Sequence, residues 1–329
     1  MRFNFFKKRT VIFIFIALLV CGCVSSNKKI YRIGMFSGFG NTTIFEYLVA
    51  EMSELGYVEG DNVEYVIRIT DQVDEEEYRK KINEILNEEV DLLVSYPTDA
   101  SLISKQLAKE KGIPVLFIFA STEDNGLVES LREPGENITG VRYPGPELVS
   151  QGLKKIVEIS PEIQKALVAY LEGYPSTPSQ INSLKITANE LNITLTELPV
   201  DSPKEFEEWV EKYEEREDKF VDLFVFIAGP LASQINEKAI GFSKKYNIPA
   251  IGRVSENESL SGVLTYGSDT QEYSELAAPI IDKILNGIPA GKIPVVTPTI
   301  YLSINYNVAE NLGLNISDGI LSQAKTLIR

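Results

Sequence analysis

The sequence predicts an α/β protein with two doubly wound parallel-sheet lobes around a central cleft. Short, continuous apolar runs of strand length alternate with helical segments from Tyr31 onward, which is typical of parallel strands buried on both faces. The alternation restarts after about residue 142, so the 329 residues divide into two units of domain size. Apolar residues make up 44% of the chain, which is enough to bury a substantial core.

The first unit is predicted to contain four strands and three helices before the boundary. The strands share apolar or alternating patterns and cover residues 31–36, 63–70, 91–97 and 115–120. The helices share apolar positions three and four residues apart and cover residues 42–56, 75–89 and 99–112. Gly56 and Gly112 end two of these helices as ordinary C-terminal stops. We expect right-handed connections with helices on both faces of the sheet.

The second unit repeats the alternation without repeating the sequence. Its predicted strands cover residues 166–171, 193–200, 222–229 and 250–253. Its predicted helices cover residues 146–160, 178–192, 203–216, 232–247 and 269–287. A connector rich in proline and glycine (286–299) then leads to a last strand (300–305) and two short helices.

Two open α/β sheets in one chain predict a cleft between them, because ligands bind at the carboxyl ends of parallel strands. The segments at these ends are rich in Gly, Ser, Thr, Pro and Asp: 37–41, 96–100, 120–124, 172–178, 228–233, 253–256 and 266–270. Backbone N–H groups and hydroxyls at helix N-termini suit a carboxylate or another anion. For any single segment, an ordinary turn or helix cap is the alternative interpretation.

The N-terminal residues predict an export signal. A start with four bases and no acid precedes the uninterrupted apolar run 11–20, and Cys-Gly-Cys closes it. This run is about half of the roughly 20 residues that span a bilayer, so a permanent transmembrane helix is disfavoured.

The two cysteines of the chain, Cys21 and Cys23, both lie at the end of this run. Residues 20–23 resemble a bacterial lipobox, which implies a lipoprotein signal peptide over 1–22 and a lipid on Cys23. Residues 23–30 would then form a lipidated tether to the extracytoplasmic face of a cell membrane, either periplasmic or at the outer face of the cell. Cys21 is the competing lipid site, and a plain signal peptide is the alternative.

The sequence contains no histidine, the commonest general base and metal ligand. This excludes Ser-His-Asp and Cys-His catalytic sites and leaves the usual zinc and haem sites without ligands. An enzyme that uses only two carboxylates stays possible. The net charge of −15 argues against a nucleic-acid partner. We therefore expect no cofactor, no metal site and no enzymatic activity.

Several segments, taken in chain order, resemble the ABC-transporter substrate-binding family that includes the tryptophan/tyrosine-type binding lipoproteins. These segments are 56–65, 90–108, 113–121, 133–141, 247–252, 262–269, 285–299 and 305–317. The family pattern ends with a helix, which would cover 320–328. The resemblance extends over residues 31–329 and rests on the order and spacing of the segments.

The resemblance implies the type I periplasmic-binding-protein fold, in which a hinge joins two lobes. One lobe would contain residues 31–142 and about 268–292. The other would contain residues 143–267 and about 293–329.

The resemblance also implies candidate ligand contacts. Donors in the first-lobe loops would hold a ligand carboxylate: Ser37, Gly38, Pro97, Thr98, Ala120 and Ser121. Asp269 would pair with a ligand ammonium group, and it equally suits the N-cap of the helix that begins there.

Aromatic residues could stack on a ring of the ligand, although a place in a wall or the core is as good an interpretation. These residues are Phe39, Tyr174 and Tyr266. Ser176 and Pro230 complete the candidate set. Arg253 lies at a strand end where it could contact an anionic ligand. This residue departs from the family pattern and leaves the identity of the ligand open.

The function expected from this resemblance is that of a monomeric substrate-binding lipoprotein of an ABC importer. It would capture a small solute, an amino acid with an aromatic one favoured, and deliver it to ABC permease subunits. A ligand-sensing extracytoplasmic receptor of the same fold is the alternative. A DNA-binding repressor of this fold is disfavoured, because no helix-turn-helix pattern precedes residue 31.

Overall fold

The computed structural model describes residues 29–38, 40, 42–217, 220–257 and 260–329. The expected signal peptide (1–22), the lipidation site Cys23 and most of the expected tether lie outside the described residues. Within the described ranges, no helix combines the length and the apolar character that spanning a bilayer requires.

A five-stranded parallel sheet forms the first lobe, with strand order β2-β1-β3-β4-β5. Its elements in chain order are β1 (Tyr31–Ser37), α1 (Thr43–Glu54), β2 (Val63–Ile69), α2 (Glu75–Leu86), β3 (Leu92–Tyr96), α3 (Thr98–Glu110), β4 (Val115–Ala120) and β5 (Ile138–Arg142). All five residues of β3 are buried, as the continuous apolar run predicts. Apolar cores lie on both faces of the sheet, one beneath α1 and one beneath α2 and α3.

A seven-stranded sheet forms the second lobe, with strand order β12-β11-β10-β9-β8-β6-β7. Its elements as far as β10 are α4 (Gly145–Ile159), β6 (Lys165–Leu171), α5 (Thr177–Glu190), β7 (Thr194–Val200), α6 (Pro203–Glu214), β8 (Leu223–Val225), α7 (Pro230–Gln234), α8 (Asn236–Tyr246), β9 (Ala250–Ile251) and β10 (Leu264–Gly267). The single helix predicted over 232–247 is wrong, because two helices meet at Ile235. At this junction the Asn236 side-chain amide donates to the Leu260 carbonyl at 3.1 Å.

The chain crosses between the lobes three times. β5 leads into α4, and β10 leads back to α9 (Thr270–Leu285), which packs on α1 in the first lobe. The backbone after α9 stays on the first sheet, where the Val296 N–H donates to the Gly140 carbonyl at 3.0 Å. The last crossing, expected at about residue 293, therefore follows Val296 and leads to β11 (Tyr301–Asn305).

The C-terminal tail differs from the prediction in two respects. Its elements are α10 (Tyr306–Asn311), α11 (Asp318–Leu321) and β12 (Ala324–Ile328). The helix expected over 320–328 is wrong: Thr326 and Ile328 favour extended backbone and pair in parallel with β11. β11 runs antiparallel to β10. β10 leads out of the second lobe toward the first, whereas β11 leads back from the first lobe into the second. The second sheet is therefore mixed and not wholly parallel.

Candidate functional site

The two lobes enclose a cavity at the carboxyl ends of their strands, where the candidate loops were predicted. This inner cavity has a volume of about 260 Å³, and both lobes contribute side chains to its walls. Its walls include Tyr96, Phe119 and Tyr143 from the first lobe and Ser233, Arg253 and Tyr266 from the second. A solute held there would contact both lobes at once.

Phe119 is the centre of an aromatic wall on the first-lobe side. Its ring centroid lies 4.5 Å from that of Tyr143 and 5.6 Å from that of Tyr96. The φ angle of Phe119 is +58°, which is rare for a residue other than glycine, and the pairing of β4 with β5 shifts register there. Such a bulge re-aims the side chain at the end of the strand. Burial raises the pKa of Tyr143, so its hydroxyl stays protonated and this wall is uncharged.

The opposite wall carries Arg253, the one charged side chain among the described residues that line the inner cavity. Arg253 follows β9 and is partly buried, and its Nη1 donates to the Ser233 hydroxyl at 3.4 Å. Burial lowers the pKa of Arg253, but a guanidinium remains charged at neutral pH. This wall therefore presents a fixed positive charge to the cavity.

A second, outer pocket of about 460 Å³ opens where Tyr174 of the second lobe reaches the first lobe. The Tyr174 hydroxyl donates to Asp99 Oδ1 at 3.4 Å, and the Ala100 N–H donates to the same oxygen at 2.9 Å. Burial raises the pKa of Asp99 to about 6, although these hydrogen bonds act in the opposite direction. A Cβ at Gly229, which lines the inner cavity, would lie 3.5 Å from the Tyr174 ring. Tyr174 therefore stands between the two cavities.

The first-lobe candidates lie at the strand ends, but most of their donors are engaged within the lobe. The Gly38 N–H donates to the Tyr96 carbonyl at 2.9 Å, and the Ser121 N–H donates to Thr98 Oγ1 at 3.0 Å. The Ser121 hydroxyl donates to Glu123 at 2.8 Å. The other candidates in these loops are buried: Ser37, Pro97 and Ala120. None of the six lines the inner cavity.

The second-lobe candidates divide into cavity-lining and scaffold residues. Tyr266 lines the inner cavity and Tyr174 the outer pocket. Ser176 accepts a hydrogen bond from the Gln180 amide at 3.2 Å, and Pro230 is buried at the start of α7. Phe39 lies outside the described residues.

Asp269 occupies the N-cap of α9 and not the cavity wall. Its carboxylate accepts a hydrogen bond from the Gln271 N–H at 3.1 Å and lies 3.4 Å from Lys325 Nζ. The side chain is 51% exposed, and it lines neither cavity. This geometry agrees with the helix-capping interpretation and gives no support to the expected contact with a ligand ammonium group.

Three residues of the aromatic wall were not among the sequence candidates: Tyr96, Phe119 and Tyr143. A usable signal was present, because each lies at or beside the end of one of three consecutive strands, whose carboxyl ends share one edge of the sheet. The apolar run 115–120 predicts a strand buried in the core. Such a run gives no sign that one of its residues, Phe119, faces the cleft.

Known proteins show the same architecture. A family model described as ABC transporter substrate binding protein matches residues 36–328. Among curated proteins, none matches the chain significantly. A conserved domain protein from Vibrio cholerae O1 biovar El Tor superposes with a TM-score of 0.79 at 22% identity, over 91% of this chain and 100% of that chain.

Two further solved structures contain a ligand. An ABC domain from Streptococcus pneumoniae in complex with L-Trp superposes with a TM-score of 0.80 at 19% identity, over 91% of this chain and 100% of that chain. A solute-binding protein of an ABC transporter from R. palustris in complex with 4-hydroxybenzoate superposes with a TM-score of 0.64 at 14% identity, over 89% and 95% of the two chains. These likenesses confirm the predicted α/β, periplasmic-binding-protein-like fold.

Proposed function

This chain belongs to the ABC transporter substrate-binding protein family, and we propose that it captures a small solute between its lobes and delivers it to a membrane permease. The inner cavity carries this proposal, because both lobes line it. Its volume of about 260 Å³ lies just below the range of about 300–1,000 Å³ for small-molecule sites, which suits a ligand of amino-acid size. Hinge bending at the three crossings would open and close the site.

The proposed ligand is an amino acid, with an aromatic one favoured. Phe119 on one wall and Tyr266 on the other give the inner cavity aromatic rings against which the ring of a ligand could pack. The complex of the Streptococcus pneumoniae protein with L-Trp supports an aromatic ligand, and so does the complex of the R. palustris protein with 4-hydroxybenzoate.

Thermal unfolding of the purified protein with a panel of amino acids, nucleosides, sugars and organic acids tests this function. A ligand at 100 times its Kd should add about 2.7 kcal/mol of stability, which corresponds to several degrees. We expect a shift with tryptophan, tyrosine or phenylalanine and none with glycine or glutamate. A shift with another solute class alone would reject the amino-acid assignment. No shift with any solute, after unfolding and refolding to remove co-purified ligand, would reject solute capture itself.

We also propose that Cys23 carries the lipid that holds this monomeric protein at the extracytoplasmic face of the cell membrane. The lipobox-like residues 20–23 and the basic, apolar leader support the proposal. In cells, Cys23→Ser should move the protein from the membrane fraction to the soluble fraction and abolish labelling with palmitate, whereas Cys21→Ser should change neither. Retained membrane binding in Cys23→Ser together with loss in Cys21→Ser would assign the lipid to Cys21.

A further inference from the structure

Arg253 is a cation in the inner cavity and has no counter-ion among the described residues. Its polar side-chain contact is the Ser233 hydroxyl at 3.4 Å, and no carboxylate in the described part of the chain pairs with it. Removing a charge from water without a partner is unfavourable. Arg142, the most buried arginine of the described residues, is by contrast paired with Glu123 and Glu147. Although the protein has a net charge of −15, the partly buried Arg253 is therefore available to bind an anion in the cleft.

The donors that were expected to bind a carboxylate are largely occupied. Ser121 uses its N–H for Thr98 and its hydroxyl for Glu123, and Gly38 uses its N–H for Tyr96. None of them lines the inner cavity, and the cation among its described lining residues, Arg253, belongs to the second-lobe wall.

The described lining of the inner cavity also contains no negative side chain. Among the described residues that form its walls there is no aspartate or glutamate, and Asp99 lines the outer pocket instead. The charge of the cavity is therefore positive at Arg253 and is not balanced by a carboxylate of the wall. A bound carboxylate would supply the missing charge and could accept two parallel N–H donors from the guanidinium.

We propose that Arg253 binds the carboxylate of the ligand, and that the substrate class is an aromatic monocarboxylate whose ring lies against Phe119 and Tyr266. This inference rests on the proposed function and locates its anion contact in the second lobe. The carboxylate is the required group, and an α-ammonium group is not required by the inner cavity.

Three probes with one ring system test the inference: L-tryptophan, indole-3-propionate, which lacks the ammonium group, and tryptamine, which lacks the carboxylate. Calorimetric titration of the purified protein should show binding of tryptophan or indole-3-propionate, and binding of tryptamine should be weaker by on the order of 100-fold. Arg253→Met should weaken binding of the carboxylates by on the order of 100-fold and leave tryptamine unchanged. Arg253→Lys should give an intermediate loss, because one point charge replaces the planar fork.

Two controls separate a ligand contact from a structural role. Ligand-free Arg253→Met should unfold at the same or a higher temperature than the wild type, because it removes an unpaired, partly buried charge. Arg132→Met changes an exposed arginine that lines neither cavity and should bind all probes like the wild type.

The outcomes distinguish this inference from the function it rests on. Carboxylates that bind Arg253→Met as tightly as the wild type, or tryptamine that binds as tightly as tryptophan, would overturn the role of Arg253 and leave solute capture intact. Binding of an uncharged solute alone would overturn the substrate class. If no solute of any class bound, the inference and the proposed function would both be rejected.

Discussion

Replacing Arg142 with methionine should lower the free energy of unfolding by about 3 kcal/mol, because it would leave two carboxylates without their shared cation. Arg142 ends β5 and is only 9% exposed. Its guanidinium donates to Glu123 of the first lobe and to Glu147 of α4 in the second, and its Nε donates to Thr297 at 2.8 Å. Loss of a fully buried pair costs about 3–5 kcal/mol, and partial exposure of Glu147 places the expected value at the lower end.

The effect of Arg142→Met should depend on pH. Burial alone would raise the pKa of Glu123, but the hydrogen bond from Ser121, the charge of Arg142 and hydrogen bonds from Thr122 together lower it. A carboxylate with a lowered folded pKa stabilises the fold above its unfolded pKa of about 4.3, and this stabilisation is lost as the pH falls through the folded value. The difference between wild type and variant should therefore be full at pH 7 and shrink below about pH 4.

Urea unfolding followed by circular dichroism at pH 7 and pH 3 measures both effects. Arg68→Met is the matched control, because Arg68 and Glu84 form an exposed pair at 3.3 Å with side chains 35% and 43% exposed. The control should lose less than about 1 kcal/mol. Equal losses in the two variants would show that the Arg142 cluster is no more stabilising than a surface ion pair.

Arg142 also links two of the chain segments that cross between the lobes. It contacts the loop after β4, the first turn of α4 and the segment that leads to the last crossing. One side chain therefore connects the first and third crossings and touches both lobes. The first and third crossings are consequently coupled, and a change in one of them alters the contacts of the other.

Most of the fold could be predicted because local patterns encode it. β3 is buried along its whole length and reads as a continuous apolar run, and α2 shows apolar residues at helical spacing between acidic and basic ones. The direction of β11 and the extended tail after residue 323 were predicted wrongly. Their structure depends on where the chain re-enters the second lobe and on an available sheet edge, and short-range periodicity contains neither.

The candidate site was predictable only in part. Strand ends rich in small and polar residues indicated the cleft, and Tyr174 and Tyr266 line its cavities. Whether a strand-end donor is available for a ligand depends on its neighbours: Ser121 is occupied by Thr98 and Glu123, which the sequence pattern does not show. The re-aimed Phe119 depends on a bulge between β4 and β5, and the apolar run itself contains no sign of that bulge.

Replacing Asp99 with asparagine should raise the free energy of unfolding at pH 7.5 by about 2–3 kcal/mol in the ligand-free protein. Burial raises the folded pKa of Asp99 to about 6, whereas an unfolded aspartate titrates at about 3.9. A group with a raised folded pKa favours the fold below its unfolded pKa, and this contribution is lost as the pH rises to the folded value. Wild-type stability should therefore fall by this amount between about pH 4 and pH 6, and Asp99→Asn should not show that decrease.

The asparagine variant removes the charge of residue 99 and keeps the hydrogen-bond geometry around it. Tyr174 and Ala100 both donate to Oδ1 of Asp99, and the amide oxygen of asparagine can accept both hydrogen bonds. Urea unfolding between pH 4 and pH 7.5 measures the difference, with the exposed Asp71→Asn as the control that should run parallel to the wild type. Parallel curves for Asp99→Asn would show that Asp99 ionises as an exposed aspartate does. In the ligand-free protein, ionisation of Asp99 is expected to lower the stability of the fold. A cationic ligand group beside Asp99 would offset this loss, because an opposite charge favours the ionised carboxylate.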